Sequence, residues 1–153
     1  MRFTTTASII TLASSLGQVQ AYYLVAGSIT GFGGPVGQTG NTWRMAADLE
    51  CDTLNNASPV VNDRSDVSGD KDGVRVAWID GDCGSWIGTQ CPTEVEQHFP
   101  GLHQTWYAER DGNMYDLEGN VVGHCVVDMG TDKYCDVTLG RSRYQSLLNC
   151  EQY

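Results

Sequence analysis

The sequence predicts an all-β domain: a small antiparallel β-sandwich or barrel of about seven or eight strands with one short helix, braced by disulfides. Three observations predict it. Short stretches alternate apolar and polar residues with the period of a strand, 18 glycines punctuate a chain with only 18% charged residues, and six cysteines occur without a Cys-x-x-Cys pair. At 153 residues the chain has room for one core but not two.

Residues 1–21, MRFTTTASIITLASSLGQVQA, read as an export signal. They hold one basic residue (Arg2), a moderately apolar stretch from Phe3 to Leu16, and a small-residue cleavage site at Val19-Gln20-Ala21. Thr and Ser dilute that stretch too far for a membrane span, which needs about 20 predominantly apolar residues. Residues 22–153 are then a single secreted β domain, expected in the extracellular space. All six cysteines (Cys51, Cys83, Cys91, Cys125, Cys135 and Cys150) lie beyond the cut, and an even number in an exported chain reads as three disulfides. Spacing favours Cys83–Cys91 around the loop GSWIGTQ and Cys125–Cys135 around Met129-Gly130-Thr131-Asp132, leaving Cys51–Cys150. Asn56-Ala57-Ser58 is a glycosylation sequon in a polar stretch.

The first strand is Tyr23 to Phe32, loosened by Gly27 and Gly31, and a turn-rich stretch from Gly33 to Gly40 follows it. In Thr42 to Cys51, Trp43, Met45, Ala47 and Leu49 alternate with Arg44, Ala46, Asp48 and Glu50, which predicts a half-buried strand. Asn55 to Gly73 reads as a long solvated loop with a short strand at Val60-Val61, and Val74, Val76 and Trp78 mark the next strand. Pro92-Thr93-Glu94-Val95-Glu96 carries a capping-box pattern and predicts the helix, stopped by Pro100-Gly101. From Gln104 a meander follows, with turns at Asp111-Gly112-Asn113, Glu118-Gly119-Asn120, Met129 to Asp132 and Gly140 to Arg143.

The charge balance excludes some functions. Nine Lys and Arg stand against nineteen Asp and Glu, a formal net charge of −10, so neither a nucleic-acid backbone nor an anionic membrane is an expected partner. No metal or cofactor is expected. Cysteine spacing does not suit zinc, and the acidic stretch of Asp66, Asp70, Asp72, Asp80 and Asp82 lacks the ligand order of an EF-hand. No nucleophile elbow occurs, so no catalytic residue is assigned. Trp43, Trp78 and Trp106 fall on apolar strand faces. Trp86, flanked by Ser85 and Ile87 inside the Cys83–Cys91 loop, is the candidate partner-binding group.

The alternative reading is a small ribonuclease-like hydrolase with His103 or His124 as acid and base and Glu109 and Arg110 at the phosphate. Neighbours in sequence point to opposite faces of a strand, however. An inhibitor of a secreted enzyme would suit the same scaffold.

The leader MRFTT…VQA, the single small domain and the six cysteines resemble the small, secreted, cysteine-rich effectors and elicitors of filamentous fungi. Within that class, Tyr23 to Cys51, with a strand ending in Gly-Phe, a Gly-rich turn and an aromatic-bearing strand before a cysteine, resembles the opening of the Alternaria-major-allergen-like, hypersensitive-response-inducing proteins. That resemblance implies a compact β-barrel able to form a homodimer and to act without catalysis. The expected function is a secreted, non-enzymatic effector or elicitor that contributes to virulence or modulates the host response. Its expected partner is a host or cell-wall protein or glycan.

Overall fold

A computed structural model describes residues 20–31, 42–84, 89–138 and 140–153. Among them are ten strands and one helix: β1 (Gln20–Gly31), β2 (Thr42–Ala46), α1 (Cys51–Asn56), β3 (Val60–Asn62), β4 (Gly73–Asp80), β5 (Gln90–Phe99), β6 (Leu102–Tyr107), β7 (Asn113–Asp116), β8 (Val121–Val127), β9 (Asp132–Val137) and β10 (Gly140–Gln152). They form one antiparallel sheet in the order β3-β2-β1-β10-β8-β7-β6-β5-β4, with β9 also paired to β10. The two ends of this order meet. Asp63 bridges Val74 in parallel and the Arg64 N–H donates to the Val74 carbonyl at 3.0 Å, which closes the sheet into a barrel. The all-β fold holds, with ten strands instead of seven or eight: the short strand expected at Val60-Val61 forms as β3, and β5 adds one where a helix was expected.

β5 replaces the expected helix. Val95, Gln97 and Phe99 are buried while Glu94, Glu96 and His98 face outward, a period of two that outweighs the local capping pattern. Pro100-Gly101 forms a hairpin turn, with Gly101 at φ +80° where an L side chain would be strained, and Phe99 pairs with Leu102. The chain's short helix lies instead at α1. The strand expected to run to Cys51 ends at Ala46, and the chain bends outward into α1. Gly140 to Arg143 is not a turn; it opens β10 and pairs with β9.

The barrel interior holds Tyr22, Leu24, Ala26, Trp43, Val61, Val74, Val95, Phe99, Trp106, Met114, Leu147 and Leu148. The Trp106 indole N–H donates to the Cys125 carbonyl at 3.1 Å, satisfying its one polar atom. A second cluster of Val25, Ala46, Leu54, Cys135 and Tyr144 lies under α1. β1 therefore feeds alternate residues into two cores, which explains its nearly unbroken apolar run.

The interior also holds a polar knot. The Tyr22 hydroxyl lies 3.0 Å from Gln97 Oε1 and accepts from Gln104 Nε2 at 2.8 Å, and both glutamines are fully buried. Burial pushes the Tyr22 phenol well above the ordinary tyrosine value, although both glutamine contacts pull it down. Tyr22, the residue expected to start the processed chain, thus ties β1 to the β5–β6 hairpin.

All six cysteines are paired. Cys83–Cys91 is as expected, and the other two pairings are corrected to Cys51–Cys135 and Cys125–Cys150. β8 and β9 do not lie side by side: they follow end to end along one edge of β10, which keeps Cys125 away from Cys135. Cys125 is instead the direct cross-strand neighbour of Cys150, with Cα atoms 4.0 Å apart.

Loop-closure entropy ranks the three bridges by sequence separations of 84, 25 and 8. Paired Cys→Ala variants are expected to lose about 4.5 kcal/mol for Cys51–Cys135, about 3.5 for Cys125–Cys150 and about 2.5 for Cys83–Cys91 in urea unfolding. A reversed order would show that strain or core packing, not chain restriction, sets their worth.

The β9–β10 hairpin carries a two-pronged ion pair, with Arg143 Nε and Nη2 each 2.7 Å from an Asp132 carboxylate oxygen. The Arg143 hydrogen bonds hold Asp132 below the usual carboxylate range. A carboxylate lowered in the folded state stabilises above its unfolded pKa and stops doing so as pH falls through the folded one. Asp132→Asn should therefore cost about 0.5 kcal/mol at pH 7 and nothing once acid has protonated Asp132, read by denaturant midpoints across pH.

Candidate functional site

Strand register assembles polar side chains on the outer face of β4, β5 and β6 in three rows. Gly73, His98 and His103 form one, Arg75, Glu96 and Thr105 the second, and Ala77, Glu94 and Tyr107 the third. Arg75 Nε donates to Glu96 Oε2 at 3.1 Å, and its Nη2 donates to Glu94. Partial burial alone would lower the Arg75 guanidinium, but these two carboxylates outweigh it and hold the group above its ordinary value. The other Glu96 oxygen lies 3.0 Å from His103 Nε2. Arg75, Glu96 and His103 thus form a continuous charge-assisted chain across three strands.

His103 stacks on His98 with ring centroids 4.3 Å apart and planes 10° apart. His98 faces the connection between β3 and β4. Its Nδ1 lies 3.2 Å from the Val67 carbonyl and its Nε2 lies 3.6 Å from Asp72 Oδ1. Val67 is fully buried. The stretch expected as a solvated loop from Asn55 to Gly73 is therefore partly helix, partly strand, and pinned at its centre. Asp66 is taken by Lys71 and by the Ser68 N–H, so it does not converge with Asp70 and Asp72 on one point. Among the described residues no group of three or more His, Cys, Asp and Glu is arranged to hold a metal ion.

Past the end of β6, the Arg110 guanidinium lies 4.3 Å from the Tyr107 ring centroid and 5.3 Å from that of Tyr115. Asp111 and Gly112 both have positive φ, which fits the expected hairpin turn, and a Cβ on Gly112 would come within 2.4 Å of the Cys125 carbonyl.

The acid–base group expected around Glu109 and Arg110 is not assembled. His103 sits at the far end of β6 from them, with Glu96 as its partner, and His124 lies on β8 opposite Asn113. Reading 92–96 as a helix hid the true neighbours. Taken as a strand, the same alternation places His98 opposite His103 and Glu96 one row along. Asn56 is exposed at the end of α1, with its Nδ2 donating to the Asp52 carbonyl at 2.7 Å. Ser85, Trp86 and Ile87 lie outside the described residues, as do residues 1–19 and 32–41.

No protein-family model matches the chain, and no curated protein or solved structure is significantly similar to it. Three disulfides are compatible with an oxidising, extracellular setting, and no described helix is long and apolar enough to cross a membrane.

The His98 contacts predict a local effect. His98→Ala removes the anchor for Val67 and the stacking partner of His103, and it should speed amide exchange in residues 64–72 by an amount equivalent to about 1 kcal/mol. Exchange in β8 and β10 should stay unchanged; equal acceleration across the barrel would mean that His98 supports the whole fold.

Proposed function

We propose that this chain is an exported, non-enzymatic binding protein of the effector or elicitor kind, recognising a host or cell-wall component through loops held on a disulfide-braced barrel. The supporting observation is the Cys83–Cys91 bridge. Both cysteines flank the β4–β5 connection, and the bridge holds their Cα atoms 5.5 Å apart, so Ser85, Trp86 and Ile87 belong to a covalently closed loop. Restricting a loop before binding lowers the entropy lost when it engages a partner. A tryptophan in such a loop is a residue type that commonly dominates binding energy. The acidic surface favours a partner with basic or hydrogen-bond-donating groups. Export through the secretory route, with a glycan on Asn56, completes this reading.

The test is capture of partners from host extracellular fluid and cell-wall fractions by the native, bridged chain. Trp86→Ala should weaken capture or host response at least about tenfold while leaving the unfolding midpoint unchanged. Retained binding in that variant would remove Trp86 from the interface. Capture of a secreted enzyme together with loss of its activity would make the protein an inhibitor.

A second reading has its own observation: His103, Glu96, Arg75 and His98 stand side by side on neighbouring strands, and such groups can exchange protons around a phosphodiester. Each of them already holds a neighbour, and the two histidine side chains are only 15% and 13% exposed, so the binding reading takes precedence. RNA cleavage by the purified chain that disappears in both His103→Ala and Glu96→Gln would reverse that order.

A further inference from the structure

At the Glu94 end of the same outer face lies a depression of about 240 Å³ lined by Ala77, Thr93, Glu94, Tyr107, Ala108 and Glu109. Strand pairing makes it. Ala77, Glu94 and Tyr107 form one cross-strand row, while the register shift after Ala77 leaves Thr93 as an extra residue on β5. That bulge lets two consecutive residues, Thr93 and Glu94, border one hollow. The two alanines add no side-chain hydrogen-bonding group to the lining.

The hydrogen-bonding capacity that remains there is mainly accepting, with the Tyr107 hydroxyl able to donate as well as accept. The Thr93 hydroxyl donates to the Ala77 carbonyl at 3.3 Å, so toward the hollow it offers lone pairs. Glu94 keeps an oxygen beyond the one that Arg75 holds, and Glu109 makes no hydrogen bond or ion pair among the described residues. Both nearby cations are engaged: Arg75 with Glu94 and Glu96, Arg110 with the rings of Tyr107 and Tyr115. Carboxylates and hydroxyl lone pairs reject phosphate, sulfate and carboxylate ligands and favour one rich in N–H and O–H donors. Tyr107, whose ring already carries the Arg110 guanidinium at 4.3 Å, adds an aromatic wall against which a flat C–H face can pack.

We propose that this depression is a subsite for a protonated amino sugar, a glucosamine unit of a partly deacetylated chitin-type glycan. Its ammonium lies toward Glu94 and Glu109 and its ring lies against Tyr107. A lysine side chain would satisfy the carboxylates but would leave the aromatic wall and much of the broad hollow unfilled; a pyranose supplies the charge, further hydroxyl donors and an apolar face together. The net charge of −10 draws a polycationic glycan to the surface before the subsite engages it. This inference deepens the binding reading, resting on it only in taking a cell-wall glycan as the partner.

The experiment is calorimetric titration of the bridged chain with a glucosamine hexamer at low salt, beside the N-acetylglucosamine hexamer and hexalysine. The glucosamine hexamer should bind, and the other two should bind at least about tenfold more weakly. Glu109→Gln, in an exposed turn where it cannot unfold the barrel, and Tyr107→Leu should each weaken binding by a similar factor. Glu118→Gln, an exposed carboxylate away from the hollow, should leave it unchanged and so separates this site from general attraction to an acidic surface. No binding, equal binding of the acetylated or peptide ligand, or equal loss in Glu118→Gln would overturn the proposal. If the hexamer fails while Trp86-dependent capture persists, the subsite is wrong and the wider binding reading stands.

Discussion

Everything in this barrel depends on β10 being paired along both edges. On one side it runs against β1 from Gly140↔Gly31 to Gln152↔Gln20; on the other it meets β9 with its first half and β8 with its second. A strand so placed cannot slip by one residue without turning Leu148 and Cys150 out of the core and Tyr144 out of the cluster under α1. Cys125–Cys150 then locks that register covalently from within. The far side of the barrel has no comparable strand: β3 and β4 meet through a single parallel bridge. The structure is thus strongly specified at β10 and lightly stitched at its seam, where His98 and the buried Val67 hold the adjoining connection in place.

The inner and outer faces of the β5–β6 hairpin use polar groups differently. Inside, Gln97 and Gln104 meet Tyr22 in a neutral network, which avoids the cost of burying charge while still specifying which strand lies across the barrel. Outside, Glu94 and Glu96 are held by Arg75, Glu96 also meets His103, and His103 stacks on His98. One hairpin therefore supplies a structural knot and a reactive-looking surface at once. The surface groups mostly satisfy one another, which is why the acceptor-lined hollow beside them carries the binding argument further than the histidines do.

Fold class, the strand at Val74 to Trp78, the meander after Gln104 and the Cys83–Cys91 bridge were legible because each rests on local periodicity or short closure. What failed was non-local. The Thr93 to Glu96 pattern is a sound helix start in isolation, and only pairing with β4 and β6 turns it into a strand. The two longer disulfides depend on β8 and β9 lying end to end along β10, which no spacing between cysteines reveals. The candidate face was illegible for the same reason: Arg75, Glu96 and His103 become neighbours only through sheet register. Trp43 and Trp106 are legible as core residues, since each sits at an inward position of its own strand.

β9 lies off the main strand order and pairs only with β10. Its outer side is roofed by α1, where Cys51 is bonded to Cys135 and Asn55 Nδ2 donates to the Asp136 carbonyl at 3.3 Å. An uncovered row of peptide groups would invite further copies to add on as new strands, the first step toward fibres. The small helix and its sulfur tether act as a stopper on that growth, so a reducing environment threatens this protein through colloidal instability as well as through loss of its fold.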